Sequence, residues 1–410
     1  MEKVIIVHIQ TDQTDQQFSL EVNELQRLVE TAGGEVVLTL TQKRQVLDYK
    51  TLIGRGKLDE LGRYIEELEA EKVIFYPSLT ARQHLLIEQE LSIFIMDRVQ
   101  LILDIFAQRA SSKVGQLQVE LAQLTYLLPR IMGQGKQLSR LGGGIGTRGP
   151  GETKLEVDRR RIRQKIHEIE RELNSLGQHR RRARAKRSQV VPFQIGLIGY
   201  TNAGKSTLLN ALTDAGTYEK DELFATLDPL TRKKRLPSGL EVTITDTVGF
   251  IHDLPDMLLE AFQSTFEESQ EVDLFVEVID GADPLHPFYE DTVHSLLKDL
   301  EMNDRPLVYI YSKKDLLKGE MEETAFPSIQ ANLHDKEDQE RILSLLESQI
   351  RHLWQAFDIF VAAKEMGKIE KWRPYIMLDS CQFDENKEAY RIKGYANHWW
   401  SRRLNELSLN

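Results

Sequence analysis

The sequence has little cysteine and no long apolar segment. Cys381 is the single cysteine among 410 residues, which excludes an intramolecular disulfide and is typical of a reducing cytosol. No run approaches the roughly 18–20 apolar residues of a membrane-spanning helix. The first apolar run, at residues 4–9, follows Glu2 and is too short for a signal-peptide core. It predicts a first strand, and the chain as a whole predicts a cytoplasmic protein.

The chain as a whole also lacks an excess of positive charge. The 64 acidic residues outnumber the 53 lysines and arginines and give a formal net charge of −11. Any nucleic-acid contact must therefore come from a local basic segment. The composition, 41% apolar and 29% charged, is that of a globular protein rather than a disordered tail. A chain of 410 residues is long enough for about two to four domains.

Residues 1–110 and 191–350 both alternate short apolar runs with helical periodicity, which predicts two α/β domains. The first is expected to contain a mostly parallel sheet, and the second a doubly wound sheet. Residues 351–410 have short alternating runs and many aromatic residues, which predict a small α+β domain with an aromatic core. The strand-like runs of the first domain are 4–9, 35–40, 72–76 and 93–97.

Residues 111–190 differ from both α/β segments, because their apolar residues step by three and four. Two such seams, at 114–128 and 162–176, predict an antiparallel helical hairpin with a glycine-rich loop at 141–151. Residues 154–187 contain 13 Lys or Arg against 5 Asp or Glu, which favours an RNA contact over a merely solvated helix face. The candidate RNA-contact residues are Arg148, Arg159, Arg160, Arg161, Arg180, Arg181 and Arg182.

Residues 199–207 read Gly-Tyr-Thr-Asn-Ala-Gly-Lys-Ser-Thr and lie between an apolar run at 193–198 and a helical pattern at 208–212. Strand, glycine loop and helix in this order predict a cradle of backbone N–H groups around phosphate. Lys205 is expected to reach the β- and γ-phosphates, and the Ser206 hydroxyl to bind Mg²⁺. The predicted phosphate contacts are Gly199, Tyr200, Thr201, Asn202, Ala203, Gly204, Lys205, Ser206 and Thr207.

Two later segments complete the predicted phosphate and metal site. Thr226 lies about 20 residues after Lys205 and is expected to close over Mg²⁺ and the γ-phosphate, with Thr231 as the alternative. An alternating strand then leads to Asp246, expected near Mg²⁺, and to Gly249, whose N–H is expected to sense the γ-phosphate. The predicted catalytic groups are Lys205, Thr226 and Gly249. The predicted nucleotide contacts of these segments are Phe224, Ala225, Thr226, Leu227, Asp228, Asp246, Thr247, Val248 and Gly249.

A third segment is expected to recognise the base. A carboxylate at Asp315 can accept hydrogen bonds from N1–H and the exocyclic amine of guanine. Adenine lacks both donors, and the unpaired carboxylate would cost about 1–3 kcal/mol, so GTP is favoured over ATP. The Ala331 N–H is expected to meet the guanine O6. The predicted base-reading residues are Ser312, Lys313, Lys314, Asp315, Gln330, Ala331 and Asn332.

These motifs, in this order and spacing, resemble those of the HflX family of ribosome-associated GTPases, within the translation-factor class. Residues 101–110, 117–124 and 142–152 share the resemblance, which covers roughly residues 1–330. It implies a cytosolic GTPase that binds the large ribosomal subunit and splits idle or stalled ribosomes under stress. It also implies that the N-terminal domain and hairpin lie on ribosomal RNA near the peptidyl-transferase centre.

Two residues depart from the family pattern: Ser312 stands where the family usually has Asn, and Gln330 where it has Ser. Loss of the Asn amide is expected to remove a tie to the phosphate loop and to weaken nucleotide binding. Phe250 occupies the position of the water-orienting Gln of many GTPases. This predicts slow hydrolysis alone and stimulation by the ribosome, since supplied groups contribute about 10³–10⁵-fold in GTPases. Asn202 resembles the asparagine with which potassium-dependent GTPases hold K⁺.

Three alternatives remain open from the sequence. The altered base-reading residues would suit a non-hydrolysing ribosome-binding or assembly factor. A glycine-basic turn at 53–57 would suit an ATP-driven RNA remodeller, although an ordinary turn is the preferred interpretation. A membrane-associated signalling GTPase is the weakest alternative, because there is no lipidation signal. A monomer is the expected oligomeric state.

Overall fold

The computed structural model describes residues 1–138, 154–187, 193–213, 223–224, 229–247, 249–252, 272–317, 319, 321 and 323–409, with only the backbone at 131–138, 154–155 and 179–187. The chain forms two compact units. The first contains Met1–Arg180, Glu222–Phe224 and Leu254–Gln263. The second contains Arg181–Asp221, Ala225–Asp253 and Ser264–Asn410.

The first unit is built on a four-stranded sheet in the order β2-β1-β3-β4. Every neighbouring pair is parallel, as the alternating pattern predicted. The central strand, β1, is buried from Val4 to Ile9, and its side chains form the core with those of β3 and the helix after β2. The strands are β1 (Glu2–Gln10), β2 (Gly34–Lys43), β3 (Lys72–Phe75) and β4 (Phe94–Asp97).

Among the residues that the structure describes, six helices begin in the first unit. Thr14 and Thr80 start the first and third of them with reciprocal capping boxes, because each threonine is followed three residues later by a glutamine that caps it in return. The predicted turn at 53–57 is an ordinary helix start: Gly54 is the N-cap, and Lys57 pairs with Glu60 at 3.1 Å. The helices are α1 (Asp15–Thr31), α2 (Arg55–Leu68), α3 (Ala81–Leu91), α4 (Arg98–Arg109), α5 (Lys113–Leu138) and α6 (Lys154–Arg187).

The two long helices have the predicted antiparallel relation, since Lys113 pairs with Glu172 and Lys165 pairs with Glu120. The predicted seam of α5 is only half-buried. Its fully buried side chains lie on another face, which packs against α3 and α4. The buried residues of that face are Gln118, Val119, Ala122 and Tyr126.

A buried carboxylate fixes α5 to the first unit. Asp97 is fully buried and caps α4 by accepting a hydrogen bond from the Gln100 N–H at 3.0 Å. It also accepts from the Tyr126 hydroxyl and from Arg130 Nη2 at 3.1 Å, both on α5. A charge removed from water needs such partners, so this cluster determines where α5 lies.

The second unit contains a six-stranded sheet in the order β10-β9-β8-β5-β7-β6. All neighbouring strands are parallel except β6 and β7, which form an antiparallel edge pair. The sheet is doubly wound, as predicted. Its strands are β5 (Phe193–Ile198), β6 (Leu230–Arg235), β7 (Glu241–Asp246), β8 (Leu274–Asp280), β9 (Leu307–Ser312) and β10 (Ser328–Gln330). Its helices are α7 (Lys205–Thr213), α8 (His286–Asp299) and α9 (Lys336–Leu353).

A small α+β segment follows α9. Its antiparallel sheet has the order β11-β13-β12, with β11 (Gln355–Ala362), β12 (Met377–Asp384) and β13 (Ala389–Ala396). Two helices, α10 (Met366–Trp372) and α11 (His398–Leu407), complete it. Trp400 stacks on Tyr375 at 5.2 Å within an apolar cluster, so the aromatic residues form a core as predicted. In the described part of the chain, no helix has the length and apolar character needed to cross a membrane.

Candidate nucleotide site

The predicted site residues of the second unit follow the ends of parallel strands. The phosphate loop follows β5, while Asp246 and Ser312 are the last residues of β7 and β9. The carboxyl ends of parallel strands meet at one edge of a sheet. Chain order also reverses between β5 and β8, which is the point where doubly wound sheets bind their ligands. The fold therefore brings these segments to one edge.

The phosphate loop takes a conformation that few residues tolerate. Gly199 has φ 140°, Asn202 has φ 64° and Gly204 has φ 103°, a series that turns successive N–H groups toward one side. A β-carbon at Gly199 would lie 2.2 Å from the Val278 carbonyl oxygen. Glycine is therefore required there, because the loop passes directly over β8.

Lys205 is the first residue of α7, and only 6% of it is exposed. Its Nζ donates to the carbonyl oxygens of Gly199 at 3.0 Å and Tyr200 at 2.8 Å. Burial lowers the pKa of Lys205 to about 8, and the nearby Asp246 carboxylate opposes that shift. An anion at this position would meet a cation that has already lost most of its water.

Ser206 and Asp246 meet at the start of α7. The Ser206 hydroxyl donates to Asp246 Oδ2 at 2.6 Å, and Asp246 is fully buried. Thr247 is held by a bond of 2.7 Å from its hydroxyl to the Leu197 carbonyl oxygen. A β-carbon at Gly249 would lie 2.8 Å from Thr201 Cγ2 and 3.1 Å from Lys205 Nζ. The Gly249 backbone thus approaches the phosphate loop as closely as a glycine allows.

Phe250 ties the segment after Gly249 to the phosphate loop. Its N–H donates to the Gly199 carbonyl oxygen at 3.1 Å, and its own carbonyl accepts from the Thr201 N–H at 2.7 Å. The Phe250 ring is 2% exposed, so it belongs to the core. Sequence reasoning missed Tyr289, whose ring stacks on that of Tyr200 at 4.3 Å. An aromatic residue in α8 gives no local signal of this contact.

Ser312 corrects one expectation. Its hydroxyl lies 2.7 Å from the Ala203 carbonyl oxygen in the phosphate loop and 3.0 Å from the Ile279 carbonyl oxygen. The tie to the phosphate loop is therefore kept, although serine replaces asparagine. The short side chain suffices because the end of β9 lies directly beside the loop: a β-carbon at Gly204 would lie only 3.6 Å from Ser312 Oγ.

The loop after Ser312 is held by carboxylates that the sequence did not identify. Lys313 Nζ pairs with Asp280 at 2.6 Å, and Lys314 Nζ with Asp338 at 3.5 Å. The predicted base acceptor, Asp315, lies in a short 3-10 turn and is exposed. Asp280 ends β8 and Asp338 lies in the first turn of α9. Aspartate is common at both kinds of position, so the sequence gives no sign of this supporting role.

The expected role of Ala331 is not supported. Its N–H donates to the Tyr311 carbonyl oxygen at 2.9 Å, extending the pairing of β10 with β9. This donor is therefore engaged within the protein rather than directed to guanine O6. The next N–H, that of Asn332, donates to Asp338 Oδ2 at 2.8 Å, and Gln330 ends β10.

Other predicted contacts lie elsewhere or outside the described residues. The Phe224 ring is buried in the first unit, edge-on to Phe106 at 4.6 Å, so apolar packing rather than nucleotide contact explains it. Thr231 lies on β6 and pairs with Thr245 at 2.9 Å. The predictions outside the described residues or side chains are Arg148, Arg180, Arg181, Arg182, Ala225, Thr226, Leu227, Asp228 and Val248.

The second unit is a P-loop GTPase domain. Three features define it: a doubly wound sheet, a phosphate loop between the first parallel strand and its helix, and a serine–aspartate pair beside that loop. Three family models match consecutive parts of the chain. One described as GTP-binding GTPase N-terminal matches residues 19–107, and GTP-binding GTPase Middle Region matches residues 109–187. The model described as 50S ribosome-binding GTPase matches residues 194–313.

The chain is similar to a solved structure and to curated proteins. A solved GTP-binding protein of Sulfolobus solfataricus in complex with GDP aligns at 21% identity and a TM-score of 0.45, over 86% of this chain and 100% of that one. A GTPase HflX of Alkalihalophilus pseudofirmus is 47% identical over 97% of this chain and 94% of the relative. A GTPase HflX of Caldanaerobacter subterraneus is 52% identical over 77% of this chain and 73% of the relative. With this identity and coverage of its curated relatives, the chain belongs to the HflX family, and it is a GTP-binding GTPase.

Proposed function

We propose that this GTPase associates with the large ribosomal subunit in the cytoplasm and splits idle or stalled ribosomes under stress, acting as a monomer. The observation that carries the proposal is the combination of a GTPase domain with helix α6, whose exposed Arg160 and Arg161 belong to a locally basic segment. The family model described as 50S ribosome-binding GTPase supports the same partner.

Within the nucleotide site, Lys205 would neutralise the β- and γ-phosphates, and the Gly249 N–H would contact the γ-phosphate. The Ser206 hydroxyl and the Asp246 carboxylate fit Mg²⁺, because this hard cation prefers oxygen ligands. Thr226 would join Ser206 as a ligand. Bound Mg²⁺ would supply positive charge that offsets the negative charge of the nucleotide phosphates. Asp315 would accept hydrogen bonds from guanine.

Potassium is proposed as a second cation at Asn202. This residue adopts the left-handed conformation within the phosphate loop, with φ 64°, a conformation that asparagine tolerates better than most residues. If K⁺ supplies positive charge beside the phosphates there, hydrolysis should be faster in KCl than in NaCl. Equal rates in the two salts at matched ionic strength would contradict the role of K⁺.

Ribosome splitting would depend on binding energy that differs between the GTP and GDP states. Moving a 1:99 equilibrium to 99:1 requires a preference of about 5.5 kcal/mol for the product complex. Contacts between the basic hairpin and ribosomal RNA could supply it, since each neutralised phosphate releases counterions. In this scheme GTP binding drives splitting, and hydrolysis governs release of the factor.

The decisive experiment measures GTP turnover with and without purified large subunits. Phe250 is buried and carries no group that orients water, so slow hydrolysis is expected for the protein alone. Large subunits should raise the rate by about 10³-fold or more. Lys205→Ala serves as the control and should abolish GTP binding in both conditions.

The same measurement separates the proposal from a non-hydrolysing binding factor. That alternative predicts tight subunit binding without stimulated turnover. Bulk 70S particles should also separate into subunits when GTP or a non-hydrolysable analogue is added, as sedimentation would show. Persistent 70S particles together with unstimulated turnover would reject the proposed function.

A further inference from the structure

Strand β6 carries an unusual concentration of positive charge. Its sequence, Leu-Thr-Arg-Lys-Lys-Arg, places four consecutive cations on the outer strand of the six-stranded sheet, in a chain with a net charge of −11. Lys233 and Arg235 are exposed and point to one face, about 6.6 Å apart along the strand. Arg232 and Lys234 point to the opposite face and are half-buried.

In the part of the chain that the structure describes, the cations of β6 have no acidic partner. Among the residues that the structure describes, no carboxylate lies within 4.0 Å of any of the four cations, including the cross-strand neighbour Glu241 of Arg235. Other cations of the second unit do have such a partner, as in the pairing of Arg391 with Asp358 at 2.7 Å. An external anion is therefore the natural source of neutralisation for β6.

A further guanidinium group, that of Arg373, approaches the turn between β6 and β7. Gly239 lies in the turn between β6 and β7, and a β-carbon there would lie 3.2 Å from Arg373 Nε and 3.8 Å from Arg235 Nη2. Arg235 Nε also donates to the Gly239 carbonyl oxygen at 3.3 Å, which fixes its direction. Arg373 forms an exposed ion pair with Glu370 at 3.6 Å. Two like charges held beside one turn favour an anion between or above them.

From this placement we infer that the β6 edge, comprising Arg232, Lys233, Lys234, Arg235 and Arg373, is a binding surface for the phosphate backbone of RNA. It is separate from the basic hairpin and belongs to the GTPase domain itself. The identification of the RNA as ribosomal rests on the proposed function, whereas the phosphate-binding surface does not. Strand β6 pairs with β7 so that Leu230 lies opposite Asp246 and Arg235 opposite Glu241, which places the cations of β6 toward the end of the sheet away from the nucleotide site.

An acidic protein is a less suitable partner. Protein interfaces usually have an apolar or aromatic centre and few lysines, whereas the exposed residues of β6 are Thr231, Lys233 and Arg235. A peptide adding a strand to this edge is also disfavoured, because charged side chains, lysine above all, protect edge strands from such pairing. Protection of the edge alone is the remaining interpretation, and it predicts no RNA contact.

The test compares two full-length variants that lose the same charge. Lys233→Gln with Arg235→Gln alters the proposed surface, and Lys336→Gln with Lys364→Gln removes two exposed cations elsewhere in the second unit. Fluorescence anisotropy would measure binding to an RNA duplex of about 16 base pairs, a length that RNA-binding domains span, at about 50–200 mM KCl. The slope of log K against log salt should fall by about two for the β6 variant, one for each lost phosphate contact, and stay unchanged for the control.

Equal slopes for the wild type and the β6 variant would overturn the inference and leave edge protection as the role of these residues. The inference would also be overturned if the β6 variant lost binding to poly-glutamate while its binding to RNA stayed unchanged. That result would indicate an acidic protein as the partner. Because Arg235 bonds to Gly239, Lys233→Gln with Lys234→Gln provides a second variant that leaves this bond intact. If the wild type failed to bind large subunits while the β6 variant still showed a lower salt slope for RNA, the proposed function would be rejected and this RNA-binding surface would be retained.

Discussion

Ser312 joins two parts of the nucleotide site through one hydroxyl group. The Ala203 and Ile279 carbonyl oxygens lie within hydrogen-bond distance of it, and a hydroxyl can donate to only one of them at a time. Ser312 is 1% exposed, so water does not easily replace it. A single buried donor thus links β9, β8 and the phosphate loop.

Removing this hydroxyl should weaken nucleotide binding without unfolding the domain. We expect Ser312→Ala to bind GDP about two- to tenfold less tightly, because one buried hydrogen bond contributes about 0.5–1.5 kcal/mol. Ser312→Asn, which restores the residue usual in the family, should bind at least as well as the wild type. Isothermal titration calorimetry measures both.

Ser344→Ala is a suitable control, since it removes an exposed hydroxyl that bonds within α9. GDP binding by Ser312→Ala at the affinity of the wild type would show that the tie does not organise the loop. Equal weakening in the control would point to a general effect of losing a serine.

The residue types in the sequence were enough to predict the phosphate loop, but they did not predict the hydrogen bonds that surround it. Lys205, Ser206 and Asp246 have the sequence neighbours that their positions require, and the structure places them together. The serine bond to Ala203 and the Ala331 bond to Tyr311 depend on how closely two strands approach. Distances of that kind are set by packing, which leaves no local pattern in the sequence.

Strand β8 and helix α8 share an ionisable pair, a buried glutamate and a partly exposed histidine. Glu277 is 1% exposed, and its Oε2 lies 3.1 Å from His294 Nε2. The hydrogen bond with Glu277 raises the pKa of His294, and burial raises the pKa of Glu277. The Tyr309 hydroxyl lies 3.3 Å from the same imidazole nitrogen, and Glu290 faces the pair from α8.

Both shifts make the folded protein less stable as pH rises. A histidine with a raised pKa contributes stability below its unfolded value near 6.5, and this is lost as pH passes through the folded value. A carboxyl with a raised pKa also binds its proton more tightly when folded. We expect Tm to fall as pH rises from about 6 to 8.

Glu277→Gln should flatten this dependence in thermal unfolding experiments, because the neutral amide removes both shifts. His334→Gln is the matched control, since His334 is exposed and its imidazole makes no described contact. A pH profile that is unchanged by Glu277→Gln would exclude the pair as its origin.

The spacing of apolar residues predicted helices and strands correctly where one face of the element packs against a single neighbouring element. Helix α5 packs against α3 and α4 and also pairs with α6, and its buried face, which includes Val119 and Tyr126, differs from the predicted seam. Strand β12 departs from the simple alternation expected in residues 351–410, because its register shifts between Leu378 and Ser380. Both departures arise where a second partner or a bulge disturbs a simple period.

At the scale of the whole molecule, the proposed ribosome contact depends on basic residues in an acidic chain. Arg161 is 77% exposed, and its nearest carboxylate, Asp158, lies at 3.8 Å. Pairs of this kind contribute little to stability. Arg161 can therefore exchange a weak contact within the helix for one with phosphate.

Neutralising Arg159, Arg160 and Arg161 together, each to Gln, should flatten the salt dependence of binding to large subunits. The slope of log K against log salt is expected to fall by about two to three. A triple Gln variant at Lys336, Lys364 and Lys371 equalises the change in net charge and should bind as the wild type. Co-sedimentation at several salt concentrations provides the data, and coincident slopes for both variants would place these arginines away from RNA.

The division of the chain could be predicted only in part. The two α/β segments and the long helices were visible as changes of period. The placement of Leu223 and Phe224 in the first unit was not, since it depends on contacts with residues far away in sequence.

That placement matters for any attempt to produce the catalytic half alone. A shortened polypeptide starting near residue 191 would lack Thr31, which binds the Leu223 N–H at 3.3 Å, and Phe106, against which Phe224 lies. Returning one such ring to water costs roughly 1.5–3 kcal/mol. Kinetic constants measured on that truncated protein would therefore describe a GTPase domain in which Leu223 and Phe224 have lost their packing partners. Replacing Phe224 by serine should improve the solubility of the truncated protein.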